Sequence, residues 1–480
     1  MPEAAVSLRP LAVLALVGVA FTTPALAQTY RLVDLGTLGG AHSCANAINA
    51  KGDAVGVSTL NAGDVGGHAV LWSGGKILDL GTFDDLTYSE AHGISDNGLV
   101  VGEGYTPANP DVKRRALGFG AAKPALLGMV SSAKPDAETY DVNDAGLAVG
   151  KAMLGDPATV RGARAIVSEK GMMRVLDAYA LPDDLGRFTP ETAAAVNQAG
   201  VVVGWGSGTI AGKSLRRAFR WVNGKADDPL LAFDRTNDTY AFDVNEAGDL
   251  ACGMRLRLDA DNPDTPGIGT YQALIVHGDR VTRVTAPEGC ENTELRAINA
   301  RGDAVGIGWG AGGAKPFVVI KGRTLDPNTL IDASSGWKIT LLTDLNDRGQ
   351  VVGVATRGKE SHAIRLDPSG LGLDLAEVSA AVEAAAPTWV TAFAGPRPNP
   401  ATSAGTRFAF TLGRPAMVSV TLSDVAGRRV RMLVGEFEAG PGTLLWDGCD
   451  DGGARVGSGV LFAQFKGDGV HGTRKVILAR

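Results

Sequence analysis

Histidines are the first place to look for chemistry, and the chain has only six: His42, His68, His92, His277, His362 and His471. No H-E-x-x-H helix occurs, and no His/Cys spacing suits zinc. His68 and His362 open the related segments HAVLW and HAIRL, whose sister segments begin at Arg115, Arg164, Arg217, Gln272 and Lys315. A slot that accepts any long polar side chain ahead of a core alanine reads as structural. A nucleophile is equally hard to find. There is no G-x-S-x-G elbow, and the S-x-x-K at Ser131–Lys134 lies in a loop-like stretch without its partner motifs. The repeat hairpins concentrate no His, Asp or Glu cluster in any one unit, so neither a catalytic site nor a cofactor is expected.

Three weaker features remain. DADNPDTPG (259–267) sets Asp259, Asp261 and Asp264 in one oxygen-rich insertion, a weak Ca²⁺ candidate. It lacks the later spacing and bidentate Glu of an EF-hand, so a solvated acidic loop is preferred. Tyr105 and Trp309 each follow a strand-ending glycine by three residues, and Trp205 follows one directly. If the units superpose, three flat rings emerge near one rim, as a ligand-stacking surface requires. The alternative is packing between units. Arg301-Gly302-Asp303 spells an adhesion tripeptide, but it sits in AINARGDAVG (297–306), which differs from AINAKGDAVG (47–56) only at Arg301.

That repetition reveals the elements. Gly52, Gly98, Gly146, Gly200, Gly248, Gly302 and Gly349 recur 46 to 54 residues apart. Three places before each glycine stands Asn or Ser: Asn49, Ser95, Asn143, Asn197, Asn245, Asn299 and Asn346. A type I turn favours Asn or Ser at its first position and Gly at its fourth, where φ can turn positive. Each motif is therefore a hairpin tip, and the RGD letters are explained by the turn. In the fifth unit, VNEAGDLACG, one extra residue precedes the second glycine, which reads as a bulge at Ala251 or Cys252. A third segment of the HAVLW type follows each hairpin, and often a fourth, as in KILDLGTF (76–83).

Three or four short strands per roughly 50 residues predict an all-β, seven-bladed β-propeller. The competing open β-solenoid usually has shorter rungs. YRLVDLGTLGG (30–40) resembles a fourth strand placed ahead of its first hairpin, as ring closure requires. GLGLDLAEV (370–378) offers the last unit a competing strand of its own.

The flanks set the destination. Arg9, an apolar Leu11–Phe21 and Ala25-Leu26-Ala27 read as a signal peptide over 1–27, cleaved near Ala27, and too short to span a membrane. The propeller is assigned to 28–372, an Ala-rich linker to 373–392 and a small β-sandwich to 393–480, the last from six short alternating strands. Net charge of −6 offers no field for nucleic acid. Of four cysteines, Cys252 and Cys290 share a unit and form the disulfide candidate.

The alternation of INxxGxxVG, HAVLW and DLGTLGG segments resembles the HAF-type probable extracellular repeat family, over roughly residues 29–370. This likeness implies an extracellular location more than any chemistry. The last domain resembles the immunoglobulin-like domain of the flagellar hook-cap protein and the type A sorting domain of type-nine (Por) secretion cargo. The matching residues include Asn399-Pro400, Gly427, Trp446-Asp447-Gly448, Gly459 and Lys475. The resemblance implies a secretion-machinery partner and a cell-surface destination. The expected function is then a non-enzymatic recognition platform for a glycan, peptide or matrix ligand. A polysaccharide hydrolase or lyase, or a purely structural envelope component, are the alternatives.

Overall fold

A computed structural model describes residues 30–480 except 62–65, 108–113, 121–122, 131–135, 155–161, 183–184, 211, 257–269, 370–390, 403–404, 438–439 and 479–480. The leader, the acidic loop with Asp259, Asp261 and Asp264, and nearly all the linker lie outside the described residues. So does the competing strand expected at 370–378.

The described part of the first region forms seven small antiparallel sheets, six of four strands and one of five. Each holds the hairpin foreseen in the repeats, made by the first two strands of its repeat. In the five-stranded sheet Arg187–Val196 and Val202–Ile210 form it, after a short extra strand, Tyr179–Ala180. At every tip the asparagine Oδ1 caps its own turn. In the first sheet it accepts from Lys51 N and Asp53 N at 3.0 Å, and Gly52 takes φ +86°. Ser95 does the same with its Oγ, accepting from Leu99 N at 3.0 Å.

The other end of the same amide joins one blade to the next. Asn49 Nδ2 donates to Ser95 O, Asn143 to Asn197 O, Asn197 to Asn245 O, Asn245 to Asn299 O and Asn299 to Asn346 O, at 2.9–3.3 Å. Ser95 has no amide, and Asn97 Nδ2 makes that crossing to Asp144 O at 2.9 Å. Asn346 Nδ2 then donates to Asn49 O at 2.9 Å, which returns the chain of bonds to its start. The fold is a β-propeller, closed around a channel.

Closure is completed by the early strand. Tyr30–Asp34 pairs antiparallel with Glu360–Pro368, so the outermost strand of the last blade comes from the start of the chain. Apolar strips between blades make the core, and one such cluster joins Val352 and Ala363 to Ala45, Ala54 and Trp72.

The inner strand of each blade carries a register shift, between Ala45 and Ala47 in blade one and between Ala91 and Gly93 in blade two. This irregularity drives a carbonyl toward the second strand, where a Cβ on Gly102 would lie 2.0 Å from Glu90 O and one on Gly56 1.9 Å from Cys44 O. Glycine is therefore required there. In blade five the shift again falls on the inner strand, between Ala241 and Asp243, and Cys252 takes the glycine's register position opposite Ala241. The expected bulge at Ala251 or Cys252 is thus absent: the ladder is unchanged and the glycine has moved one place.

The disulfide expectation also fails, because all four cysteines are free. Cys252 is buried in a cluster shared with Ala195, Val203 and Ala218 of blade four. The Cys290 sulfur instead lies 3.1 Å from where a Cβ on Gly308 of blade six would sit. The two thiols face opposite neighbours.

The C-terminal region is a seven-stranded β-sandwich around one core holding Phe393, Phe408, Phe410, Phe465 and Trp446. The strand absent from the six expected is Ala392–Thr402. The residues singled out there serve this scaffold. Asn399 accepts from Ile477 N at 2.8 Å and donates to Lys475 O at 2.9 Å. Trp446 Nε1 donates to Cys449 O at 2.7 Å, and Asp447 accepts from Cys449 N at 2.9 Å. Gly427 and Gly448 take positive φ in turns, Pro400 follows a cis bond, and Gly459 opens the strand Gly459–Gly467.

Candidate functional site at the central channel

Inner-strand residues three places before each turn asparagine or serine face the channel. They include Asn46, His92, Tyr140, Phe242, Arg296 and Thr343, around a cavity of about 270 Å³. Alternation puts every second side chain on this face. In blade two, His92 lines the cavity, Tyr88 and Glu90 precede it on the same strand, and Glu103 sits directly opposite Glu90 on the next strand.

Like charges directly opposite one another destabilise a sheet unless they are compensated. Arg114 answers Glu103 in a very short contact with Oε1, and its Nε lies 3.7 Å from Glu138 of blade three. Tyr88 OH donates to Glu90 Oε2 at 2.5 Å, and Asn46 Nδ2 to Glu90 Oε1 at 2.8 Å. Blade three adds a matching couple, Tyr140 OH to Glu138 Oε2 at 2.6 Å, with Lys151 Nζ at 3.3 Å from the same oxygen. Tyr105 packs on Tyr88 with centroids 4.6 Å apart and lies under the Arg114 guanidinium at 4.3 Å.

Protonation follows from these neighbours. Burial alone pushes His92 down, yet Glu103, Glu90 and Glu138 together hold its pKa above the usual imidazole value. Burial would raise Glu103, but His92 and Arg114 outweigh it and keep this carboxyl below its ordinary range. Burial, then the glutamate partners, push the Tyr88 and Tyr140 phenols up. Glu103 is thus held ionised beside neutral tyrosines.

Blades four and five differ at the same register. Trp205 stands in the slot of Glu103, Tyr240 in that of Glu90 and Phe242 in that of His92. The Trp205 ring meets Tyr240 and Phe242 edge-on, each at 5.8 Å. Trp309 packs instead on Tyr271 at 5.5 Å. The three aromatics singled out in the sequence are all half-buried, and each belongs to a different packing group. Tyr105 alone joins the carboxylate cluster.

That cluster corrects the expectation that acidic and histidine residues are dispersed. Glu90, His92 and Glu103 all belong to the blade-two hairpin, and Glu138, Tyr140 and Lys151 join them from blade three. The available signal was the i, i+2 run Tyr88-Glu90-His92, three polar residues on one face of an inner strand.

No protein-family model matches the chain, and no curated protein matches it. Similar solved structures include PorZ, a bacterial surface component of the type-IX secretion system of Porphyromonas gingivalis. It shares 12% identity, the overlap covers 93% of this chain and 60% of PorZ, and the TM-score is 0.35. Trypanosoma rangeli sialidase with the inhibitor DANA is similar at 8% identity, covering 85% and 87%, with TM-score 0.35. Dimeric latent PorU from P. gingivalis shares 12% identity over 94% of this chain and 34% of PorU, with TM-score 0.17. The chain thus spans less than two thirds of PorZ. These TM-scores are too low to carry a conclusion about this chain.

Proposed function

We propose that this chain is an exported, seven-bladed propeller that recognises a glycan at its channel and carries a C-terminal sorting sandwich. The observation behind the recognition reading is the side-chain register of blades two to five, beside His92, Tyr140 and Phe242 in the cavity lining. A tyrosine–carboxylate–arginine cluster on one arc is followed by the aromatic group Trp205, Tyr240 and Phe242 on the next. Sugar rings stack on aromatic faces while their hydroxyls bond carboxylates and guanidinium groups. Export rests on the leader and on the likeness of the last domain to secretion-sorting modules. Among the described residues no helix is long and apolar enough to cross a membrane.

A second reading, a polysaccharide hydrolase or lyase, is favoured by one observation: His92, its pKa held above the usual imidazole value, lies beside Glu103 and borders the channel. Against it, Glu103 is kept ionised and is no proton donor. A glycan array with the full chain separates the two. Saturable binding lost in Arg114→Ala, without product, supports recognition. Turnover abolished by His92→Gln would replace it with the enzyme reading.

A further inference from the structure

Glu90, His92 and Glu103 each offer one ligand atom, and these three atoms lie within 4.8 Å of one another. Their convergence is set by backbone geometry. Glu90 and His92 are two apart on one strand face, and Glu103 is the direct cross-strand partner of Glu90. Rigid strands hold ligands more exactly than loops do.

A second observation points to a missing partner. Glu103 is 4% exposed, and its Oε2 is buried with no hydrogen bond. The Nε2 of His92 is buried and without a hydrogen bond as well. Leaving buried polar atoms unanswered is costly, so unpartnered atoms on two neighbouring residues call for a shared ligand. The carboxylate oxygen has a lone pair to offer, and Nε2 has one once the imidazole is neutral.

The other contacts have the form of an outer coordination layer. Asn46 and Tyr88 each donate to one oxygen of Glu90, and each oxygen keeps a lone pair. Arg114 holds Oε1 of Glu103 and leaves Oε2 free. Hydrogen-bonded carboxylate ligands of this kind are oriented for a metal. One imidazole with two carboxylates suits a borderline first-row divalent ion, whereas Ca²⁺ and Mg²⁺ prefer oxygen alone.

We propose that Glu90, His92 and Glu103 bind a single divalent first-row transition ion of the zinc type. Of the three ligands, His92 borders the channel cavity. The ion takes the place of the His92 proton and supplies the partner that Glu103 Oε2 lacks. This inference does not rest on the glycan reading, since it requires no sugar.

The test uses untagged full chain stripped with a chelator. Zn²⁺ is titrated calorimetrically, and Co²⁺ is followed by its visible absorption. One equivalent is expected, with affinity at least about tenfold weaker in His92→Gln and in Glu103→Gln. Glu294→Gln, at the Glu90 slot of blade six, should bind like the parent. X-ray absorption of the parent protein should show one imidazole among ligands at about 2.0–2.1 Å, a readout independent of how the variants fold. No Zn²⁺ binding, equal binding in His92→Gln, or a coordination sphere without imidazole each overturns the site.

Discussion

His362 Nδ1 lies 3.0 Å from the carboxylate of Asp34, 328 positions earlier in the chain. The same pairing occurs within blade one, between His68 and Asp79, also at 3.0 Å. The histidine of each HA segment thus binds the aspartate of a DLG segment. In the last blade the aspartate is borrowed from the opening strand, whose Asp34 also accepts from Gly36 N at 2.9 Å. Asp34→Ala should therefore lower stability by about 1 kcal/mol. Removing Tyr30–Asp34 should do more, exposing a sheet edge and promoting aggregation. Thermal melts and light scattering check both, and an unchanged truncation would refute the closure role.

The turn and strand glycines should respond differently to alanine. Gly302 has φ +76° with open space around it, so Gly302→Ala costs only backbone strain, about 1 kcal/mol. Gly306 would place its Cβ 2.3 Å from Glu294 O, and Gly306→Ala should cost about 2–3 kcal/mol. Denaturant melts rank them. The RGD letters should support no cell adhesion, because Asp303 is 8% exposed, bonded by Arg301 Nε at 2.9 Å and by Asn299 through its own N–H at 3.0 Å.

Three channel aspartates should make stability depend on pH. Asp141, Asp243 and Asp344 each accept one N–H from their own blade and one from the next blade around the ring, Val196, Ile298 and Ile48 respectively, at 2.7–2.8 Å. Burial raises the pKa of Asp141 to about 7 and of Asp243 to about 6, and that of Asp344 well above the usual value. The folded state then binds more protons than the unfolded one, so this contribution is full below about pH 4 and lost on rising through about pH 6–7. Melting temperature should accordingly rise as pH falls from 7.5 to about 5. Asp141→Asn should flatten part of that slope, and a parent whose stability is flat there would refute the account.

Thiol titration in denaturant should find all four cysteines reduced. In the native state Cys252 should be silent, since it is fully buried and burial raises its pKa beyond the usual thiol range. Two missing equivalents would restore the discarded disulfide.

Removing one crossing amide should weaken the ring. Asn197→Ala deletes a buried donor to Asn245 O and the acceptor for Val201 N, and should cost about 2–3 kcal/mol. Replacement of exposed Lys225, on the outer strand Lys225–Asp227, should cost less. Equal losses on unfolding would count against the ring.

Local chemistry made the repeats readable. A turn needs Asn or Ser and then Gly, and a strand needs alternation, so the hairpins, sheets and opening strand could be located from residues 30–368 alone. Those requirements act within a few residues and leave a visible period. Three matters were decided only by folding. The asparagine amides became interblade bonds because closure brought tips about 50 residues apart side by side. Cys252 and Cys290 were separated because strand direction sent them toward different blades. The site arose because two blades contribute charges that balance only across their shared boundary, Glu103 and His92 from one and Glu138 and Lys151 from the other. Electrostatic neighbours of that kind are set by distance in space, which sequence spacing does not record.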